Sequence, residues 1–357
     1  MAPQSAQTPL HAWHVEHNAK LGDFAGWEMP LQYKAGVLHE HQAVRTSCGV
    51  FDVSHMGTFQ VIGSAAIEQL NRVLTKDLTA LRVGQIQYTL LCNEAGGVVD
   101  DLLVTRVAGQ ELILVPNAGN TAQVWSVLQA ALTPTAGALL DIGADTAILA
   151  VQGPKSPEVL RRAGFDPQLA YMSARRVGEI LVARSGYTGE VGYELLVPAQ
   201  DALEVWLSVI AAGAEPCGLA ARDTLRTEMG YPLHGQDITP DVTPVMAGLS
   251  WAVSWDKDEF AGKSALSQQR AQGPDRRLRG VLLTQKGVPR PGMAIQVDGI
   301  DVGRVTSGTF SPTLGVGIAL ALVDPVLELG AQVQVQIRGR GVAAEIVAPP
   351  FVTASPR

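Results

Sequence analysis

Gly96-Gly97-Val98-Val99-Asp100-Asp101-Leu102-Leu103-Val104 is a glycine turn running into two adjacent carboxylates on an otherwise apolar segment. Two glycines permit tight or left-handed backbone and a close approach to a ligand. The valines and leucines that follow favour an extended strand with at least one buried face. Successive strand side chains point to opposite faces, so only one of the two aspartates can enter any given cavity. A carboxylate turned toward an apolar interior is costly unless it is paired, protonated or engaged with a ligand. By alternation alone the two aspartates are equivalent, and a strand-edge or turn-capping pair is the bland alternative.

The flanking segments form a faint internal repeat. In its first copy, at about 59–132, the strand Phe59–Ile62 and Gly63 lead to a helix with Ser64 as expected cap and Ile67, Leu70, Val73 and Leu74 on one face. The glycine turn and its strand follow, then a strand ending Leu114-Val115-Pro116 and a helix around Val124–Leu128. In the second copy, at about 147–213, the strand Ala147–Val151 precedes Ser156-Pro157-Glu158, a capped helix start with proline in the first turn. The glycine-rich segment 186–192 then leads into Tyr193–Pro198, and a helix follows around Val205–Ile210. Strand, helix, strand, strand, helix is half of a split βαβ arrangement, so an α+β fold with mostly antiparallel sheet is expected. A glycine turn plus an acid recurs in both copies, Asp100 or Asp101 in the first and Glu190 or Glu194 in the second. Two lobes facing each other would bring these acids into one cleft.

Beyond the repeat, 218–230 reads as a helix ended by glycine, with Arg222 and Arg226 one turn apart. An aromatic strand is expected around Trp251 and Trp255. After a basic window, short alternating strands at 280–283, 294–297, 303–306, 317–323, 333–337 and 343–347 are separated by Gly and Pro turns, which suggests a small β-barrel or sandwich.

The 357 residues, with 46% hydrophobic and only 17% charged, describe a globular chain with ample core. No apolar run reaches the roughly 18 residues needed to span a bilayer. The N-terminal ten residues show no export or organelle signal, so cytoplasm is the expected location. Net charge is −7, which argues against nucleic acid as a partner. The window 270–290 opposes that balance, with Arg270, Arg276, Arg277, Arg279, Lys286 and Arg290 against Asp275 alone. It reads as a solvated surface or a docking face for an acidic partner. Cys48, Cys92 and Cys217 form no CxxC pair and read as buried thiols. His11, His14 and His17 recur at helical spacing and His39 and His41 flank Glu40, but no HExxH-type cluster follows, so no metal is expected. No GxGxxG follows a strand, and Ala261-Gly262-Lys263-Ser264 has Lys257 where a P-loop needs its first glycine. No GxSxG elbow is present. What remains is carboxylates, tyrosines, asparagines and arginines on glycine-rich turns, a set suited to orienting a polar heteroaromatic ligand. One carboxylate such as Glu194 can accept two parallel N–H groups from a guanidine-like ring edge.

Several long strings then resemble one family in its own order over essentially the whole chain. They are DFAGWEMPLQY (23–33), AVRTSCGVFDVSHMG (43–57), GGVVDDLLV (96–104), SGYTGEVGYEL (185–195), CGLAARDTLRTEMGYPLHGQDI (217–238) and TSGTFSPTLGVGIALA (306–321). The chain resembles the aminomethyltransferases of the glycine cleavage system, the T-proteins. That resemblance implies a three-lobed fold, with two ferredoxin-like or split βαβ lobes around a central channel and a C-terminal β-barrel. It implies a folate-binding catalytic region at 1–275 and the barrel at 276–357. The implied reaction passes the one-carbon unit from the aminomethyl-loaded lipoyl arm of H-protein to tetrahydrofolate, giving 5,10-methylene-tetrahydrofolate and ammonia.

Carried over by motif, Asp101 is the implied catalytic carboxylate and Asp100 its structural partner facing away from folate. Glu194 would clasp the pterin, Tyr187 and Asn117 would line it, Arg222 would hold its polar end, and Met56 and Tyr88 would flank the pocket. With positioning and charge stabilisation dominant, Asp101→Asn is expected to lower turnover far more than folate affinity. The H-protein is the implied partner, with 270–290 as candidate docking window. One departure stands out, since the family's arginine after the PF or PFV step, which contacts the folate tail, is replaced by Thr353, with Arg357 at the end. A folate-binding relative in iron–sulfur assembly would show a cysteine in its KGCxxGQE signature, and Tyr231–Asp237 has none. The folate lobe of a sarcosine or dimethylglycine oxidase would need a flavin domain. A carrier-binding scaffold without activity is the third alternative.

Overall fold

The structure, a computed structural model, describes residues 5–353 and 356. The chain begins with helix α1 (His11–Glu16), a hairpin of β1 (Lys20–Phe24) and β2 (Trp27–Gln32), helix α2 (Val37–Thr46) and strand β3 (Gly49–Asp52). The first lobe then runs β4 (Phe59–Ile62), α3 (Ser64–Asn71), β5 (Ile86–Cys92), β6 (Val98–Ala108), β7 (Glu111–Val115), α4 (Thr121–Ala131) and β8 (Ala138–Asp141). Its sheet has the order β5-β6-β7-β4-β8, antiparallel throughout. Helices α3 and α4 cover one face, where Ile67, Leu70 and Leu128 meet Phe59, Leu102 and Val104 in a fully apolar core. Burying each such side chain stabilises the lobe by roughly 1.5–3 kcal/mol.

The second lobe runs β9 (Thr146–Gln152), α5 (Ser156–Arg162), β10 (Ala174–Val177), β11 (Ile180–Ala183), β12 (Gly192–Pro198), α6 (Ala202–Ala211) and β13 (Glu215–Pro216). Its order is β10-β11-β12-β9-β3-β13, with β13 parallel to β3. Apart from β3, which comes from the N-terminal region, the succession is that of the first lobe, so the repeat is architectural. Its detailed alignment differs from the sequence expectation. Strand β6, which carries the aspartates, corresponds by position to β11, whereas Glu194 lies on β12, the counterpart of β7. The recurrence of glycine turn plus acid therefore joins non-equivalent strands. Neither serine serves as a cap: Gly63 and Lys155 occupy the cap positions, and Ser156 Oγ instead donates to the Val191 carbonyl at 3.0 Å.

The uncovered faces of the two sheets pack together through Ile86, Ile113, Leu181 and Ala183. Helix α7 (Leu219–Met229) crosses beside them and ends at Gly230, whose φ of 68° is the left-handed conformation that closes a helix at low cost in glycine. A third lobe follows, with a core of Ile238, Val242, Leu249 and Phe260 against Val98 and Leu90, and helix α8 (Lys263–Gln272). The expected aromatic strand there is absent. Residues 250–252 form a short 3-10 turn, because the Trp255 indole N–H donates to the Ser250 carbonyl at 3.0 Å and folds the segment back.

Strands β14 (Arg277–Leu283), β15 (Ala294–Val297), β16 (Ile300–Ser311), β17 (Val316–Val323), β18 (Gln332–Ile337) and β19 (Arg340–Val347) close into a barrel in the order β14-β17-β16-β15-β18-β19. Helix α7 pins it. The guanidinium of Arg226 donates to Asp223, to Asp237 at 2.8 Å and to Ser307 on β16 at 2.9 Å. Two residues on, the buried carboxylate of Glu228 accepts from Arg45, Ser311 and Thr313. The pair Arg222 and Arg226 is thus interior and not a solvated surface face. No helix among the described residues is long and apolar enough to cross a membrane.

Candidate functional site

A cavity of about 620 Å³ opens between the two sheets, α7 and the segment that follows it. Strand alternation sets which residues of β6 reach it. Asp101, Leu103 and Thr105 line the cavity, while Asp100 and Val104 lie on the opposite face, fully buried, and Leu102 borders the cavity while packing into the lobe core. Strand β5 adds Ile86 and Tyr88, β12 adds Glu194 and Leu196, and α7 adds Leu219 and Arg222. The walls are largely aliphatic, with polar groups at a few points, as in ordinary small-molecule sites of roughly 300–1,000 Å³.

Asparagine side chains from the start of α4 hold the aspartate pair. Asn117 Nδ2 donates to Asp101 Oδ1 at 2.7 Å and to Asp100 Oδ1 at 2.9 Å, and its backbone N–H donates to Asp100 Oδ2 at 3.0 Å. Asn120 Nδ2 donates to Asp100 Oδ1 at 2.7 Å and lies 2.8 Å from His234 Nδ1. The other ring nitrogen, His234 Nε2, is 3.2 Å from the Val98 carbonyl, which can only accept, so the proton sits on Nε2 and Nδ1 accepts from Asn120. The second oxygen of Asp101 accepts the Tyr88 hydroxyl at 3.0 Å. Tyr88 in turn stacks on Trp251, with ring centroids 5.2 Å apart.

Burial dominates the electrostatics. It pushes Asp100 up to about 7, with the Asp101 charge adding to the shift. Asp101 is also raised by burial, against the hydrogen bond from Tyr88 and the nearby His234. Burial and Asp101 together raise the Tyr88 phenol, so it remains a donor. Across the cavity, Glu194 Oε2 accepts Ser185 Oγ at 2.5 Å, while its Oε1 is 4.0 Å from Arg222 and only loosely engaged. The Arg222 guanidinium lies over the Tyr187 ring at 5.0 Å, and the Tyr187 hydroxyl donates to the Pro232 carbonyl. Two buried polar atoms of lining residues lack a partner among the described residues, Arg222 Nη1 and His55 Nδ1.

Comparison with known proteins bears directly on this arrangement. Residues 10–257 match the family described as the GCVT N-terminal domain, and residues 276–353 match the glycine cleavage T-protein C-terminal barrel domain. The chain belongs to the glycine cleavage T-protein family of aminomethyltransferases. It is 52% identical to the aminomethyltransferase of Parafrankia sp. over 98% of this chain and 99% of that one, and 47% identical to that of Mycobacterium tuberculosis over 99% of each. The crystal structure of the glycine cleavage system aminomethyltransferase T of Bartonella henselae superposes with a TM-score of 0.94 at 36% identity, covering 98% of both chains. Its activity is that of a glycine cleavage system aminomethyltransferase.

In this T-protein the seven residues singled out by motif, Met56, Tyr88, Asp101, Asn117, Tyr187, Glu194 and Arg222, all line one cavity. Glu190, the alternative acid of the second copy, is elsewhere and pairs with Arg45 at 3.0 Å. Asn120, His234, Ser185 and His55 also line the cavity and were not singled out. A cue existed for Asn120, three residues after Asn117 at a helix start. His234 comes from 136 residues beyond its partner Val98, and nothing local announces it. No His, Cys, Asp and Glu group among the described residues has the geometry to hold a metal. In the basic window, Arg270 lies over the Trp255 ring at 4.5 Å, Arg276 is 3.9 Å from Asp324, and Arg270, Arg277 and Arg279 border a cleft of about 260 Å³. Thr353 is exposed, and Arg357 lies outside the described residues.

Proposed function

We propose that the cavity binds tetrahydrofolate and that the one-carbon unit reaches it as an aminomethyl group on the lipoyl arm of an H-protein. The products are 5,10-methylene-tetrahydrofolate, ammonia and the dihydrolipoyl carrier. On this reading residues 1–275 form the catalytic region and 276–357 the barrel. The observation that carries the proposal is the pair of differently held carboxylates, Asp101 clamped by Tyr88 and Asn117, and Glu194 with one oxygen loosely engaged. The donor set suits a reduced pterin, since an amidine-like ring edge offers paired N–H groups and Arg222 Nη1 awaits an acceptor. Bound tetrahydrofolate would supply the nucleophilic ring nitrogens that take up the one-carbon unit.

The chain's own residues bind, orient and stabilise. Glu194, steadied by Ser185, accepts the paired N–H groups, and Tyr187 offers a flat wall backed by Arg222. Met56 fills the apolar side. Asp101, fixed from two directions before substrate arrives, orients a substrate N–H and stabilises positive charge that develops on the transferred carbon. Preorganisation of this kind needs little acid–base power, since positioning itself lowers the barrier. Asp100 fixes Asn117 and Asn120, and thereby Asp101. The basic window at 270–290 is the proposed docking face for the carrier.

The test mixes the protein with aminomethyl-loaded lipoyl carrier and tetrahydrofolate and measures ammonia and methylene-folate. Release of ammonia that depends on tetrahydrofolate is expected. Release that is indifferent to it overturns the proposal.

A further inference from the structure

Asp101, Asn117 and Tyr88 satisfy one another, and Glu194 is met by Ser185. Two residues that line the cavity each keep a buried polar atom without a partner among the described residues, Arg222 Nη1 and His55 Nδ1. A buried polar atom without a partner calls for an explanation, and inside a cavity the plainest one is a ligand atom. His55 is 4% exposed and stands on the turn after β3.

That turn is rigid before any ligand arrives. Asp52 Oδ1 accepts the Ser54 N–H at 2.9 Å and the Ser54 hydroxyl at 2.6 Å, and Ser54 Oγ accepts the Ile148 N–H at 3.0 Å. Asp52 is itself held by Thr8 and by His14. The His55 ring packs nearly perpendicular to Phe24, another lining residue, with ring centroids 5.3 Å apart and an interplanar angle of 88°. The imidazole is thus held at the cavity wall by backbone and packing, with an Nδ1 that has no hydrogen-bond partner among the described residues.

We propose that His55 is a substrate-binding residue of the cavity, hydrogen-bonding a heteroatom of the bound pterin in concert with Arg222. The proposal rests on the folate reading above. Arg222 can only donate, so the group it meets is an acceptor, and a ring carbonyl or ring nitrogen fits where an ammonium does not. His55 meets the same ligand as a neutral imidazole. Burial, opposed by the pull of Asp52 and aided by the Arg222 charge, holds its pKa down at about 4. A neutral ring beside a guanidinium adds a directional hydrogen bond without a second positive charge, so it selects an uncharged polar edge.

Calorimetry of tetrahydrofolate binding without carrier tests this. His55→Leu is expected to weaken binding about tenfold, the value of one buried hydrogen bond to a ligand, while His55→Gln stays within about threefold. Unchanged affinity in His55→Leu overturns the proposal. Nitrogen-15 spectra of the labelled histidines supply a second readout, taken on wild-type protein, with His55→Gln serving only to assign the His55 resonances. The resonances missing from His55→Gln are expected to shift when wild-type protein takes up tetrahydrofolate, and resonances that stay put overturn the assignment. If wild-type protein shows no binding of tetrahydrofolate at all, the folate reading itself fails, a result distinct from either outcome for His55.

Discussion

Replacing Asp101 with asparagine isolates charge from shape. The carboxylate accepts Asn117 Nδ2 at 2.7 Å and the Tyr88 hydroxyl at 3.0 Å. An asparagine can keep its carbonyl oxygen against Asn117 and turn its amide N–H₂ toward Tyr88 Oη, which then accepts. Both contacts survive without backbone movement. Loss of the charge-assisted part of these bonds is offset by no longer burying an anion, so stability changes by no more than about 1 kcal/mol. What disappears is a preoriented negative charge where positive charge develops, and removing one such group costs roughly 10²–10³ in kcat, or about 2.7–4 kcal/mol. The assay is steady-state ammonia release with saturating carrier and tetrahydrofolate, alongside calorimetric Kd for tetrahydrofolate. The expected result is a kcat lowered about 100-fold or more with Kd within about threefold. A variant that turns over normally once saturated but binds tetrahydrofolate far more weakly would refute the reasoning, because Asp101 would then be a binding residue.

Gly97→Ala places a Cβ 1.7 Å from the Pro240 carbonyl oxygen, so the turn ahead of β6 must shift, and a loss of about 1–3 kcal/mol is expected in urea unfolding; an unchanged midpoint would count against the packing described. Glu228→Gln leaves the buried Arg45 guanidinium facing an amide, at a cost of roughly 3–5 kcal/mol by the same measurement. Burial opposes ionisation of Glu228, but hydrogen bonds from His41, Ser311 and Arg45 hold its pKa down to about 2 against an ordinary 4.5. Its contribution is therefore complete above about pH 4.5 and lost as pH falls toward 2, and the variant's unfolding midpoint should fall less steeply than wild type between pH 5 and 3. Burial pushes Cys48 and Cys92 up to about 12 and raises Cys217 as well, so a thiol-exchange reagent at pH 8 should find no fast thiol in native protein and three after denaturation. One stoichiometric fast reaction would contradict that burial.

The barrel strands were legible because they are apolar runs set off by Gly or Pro, a signal local to each strand, although β16, at 12 residues, was read only over 303–306 and β17 is buried almost throughout. Helix α7 was legible for the same reason, its end marked by Gly230. Strands β1, β2, β3, β5, β8, β10, β11 and β13 went unread, and with β5, β10 and β11 the correspondence of β6 to β11. The sequence cue there was a glycine turn with an acid, and Ile180–Ala183 carries no acid. The choice of Asp101 over Asp100 needs to know which face of β6 the helices cover, and that is decided by α3 and α4 packing on Leu102 and Val104. Alternation alone cannot supply it; the motif did. The supports of the aspartates, Asn120 and His234, depend on a contact between the start of α4 and the segment after α7, which no local pattern encodes.

Strand β3 has a consequence for the order in which the molecule can assemble. It lies in the sheet between β9 and β13, so residues 49–52 are clasped on one side by residues 149–152 and on the other by 215–216. The second lobe therefore completes its sheet only with a strand made about a hundred residues before its own stretch of chain. A nascent chain at the usual pace of roughly 5–20 residues per second holds its first fifty residues unclaimed for several seconds until the later strands emerge. Long-range pairing of this sort is entropically slow to nucleate. The apolar β3, every residue of which is buried in the finished sheet, is exposed during that wait. Here the early chain is the one most in need of protection from aggregation, and a rearranged chain in which residues 5–58 are inserted behind residue 216 would shorten the wait.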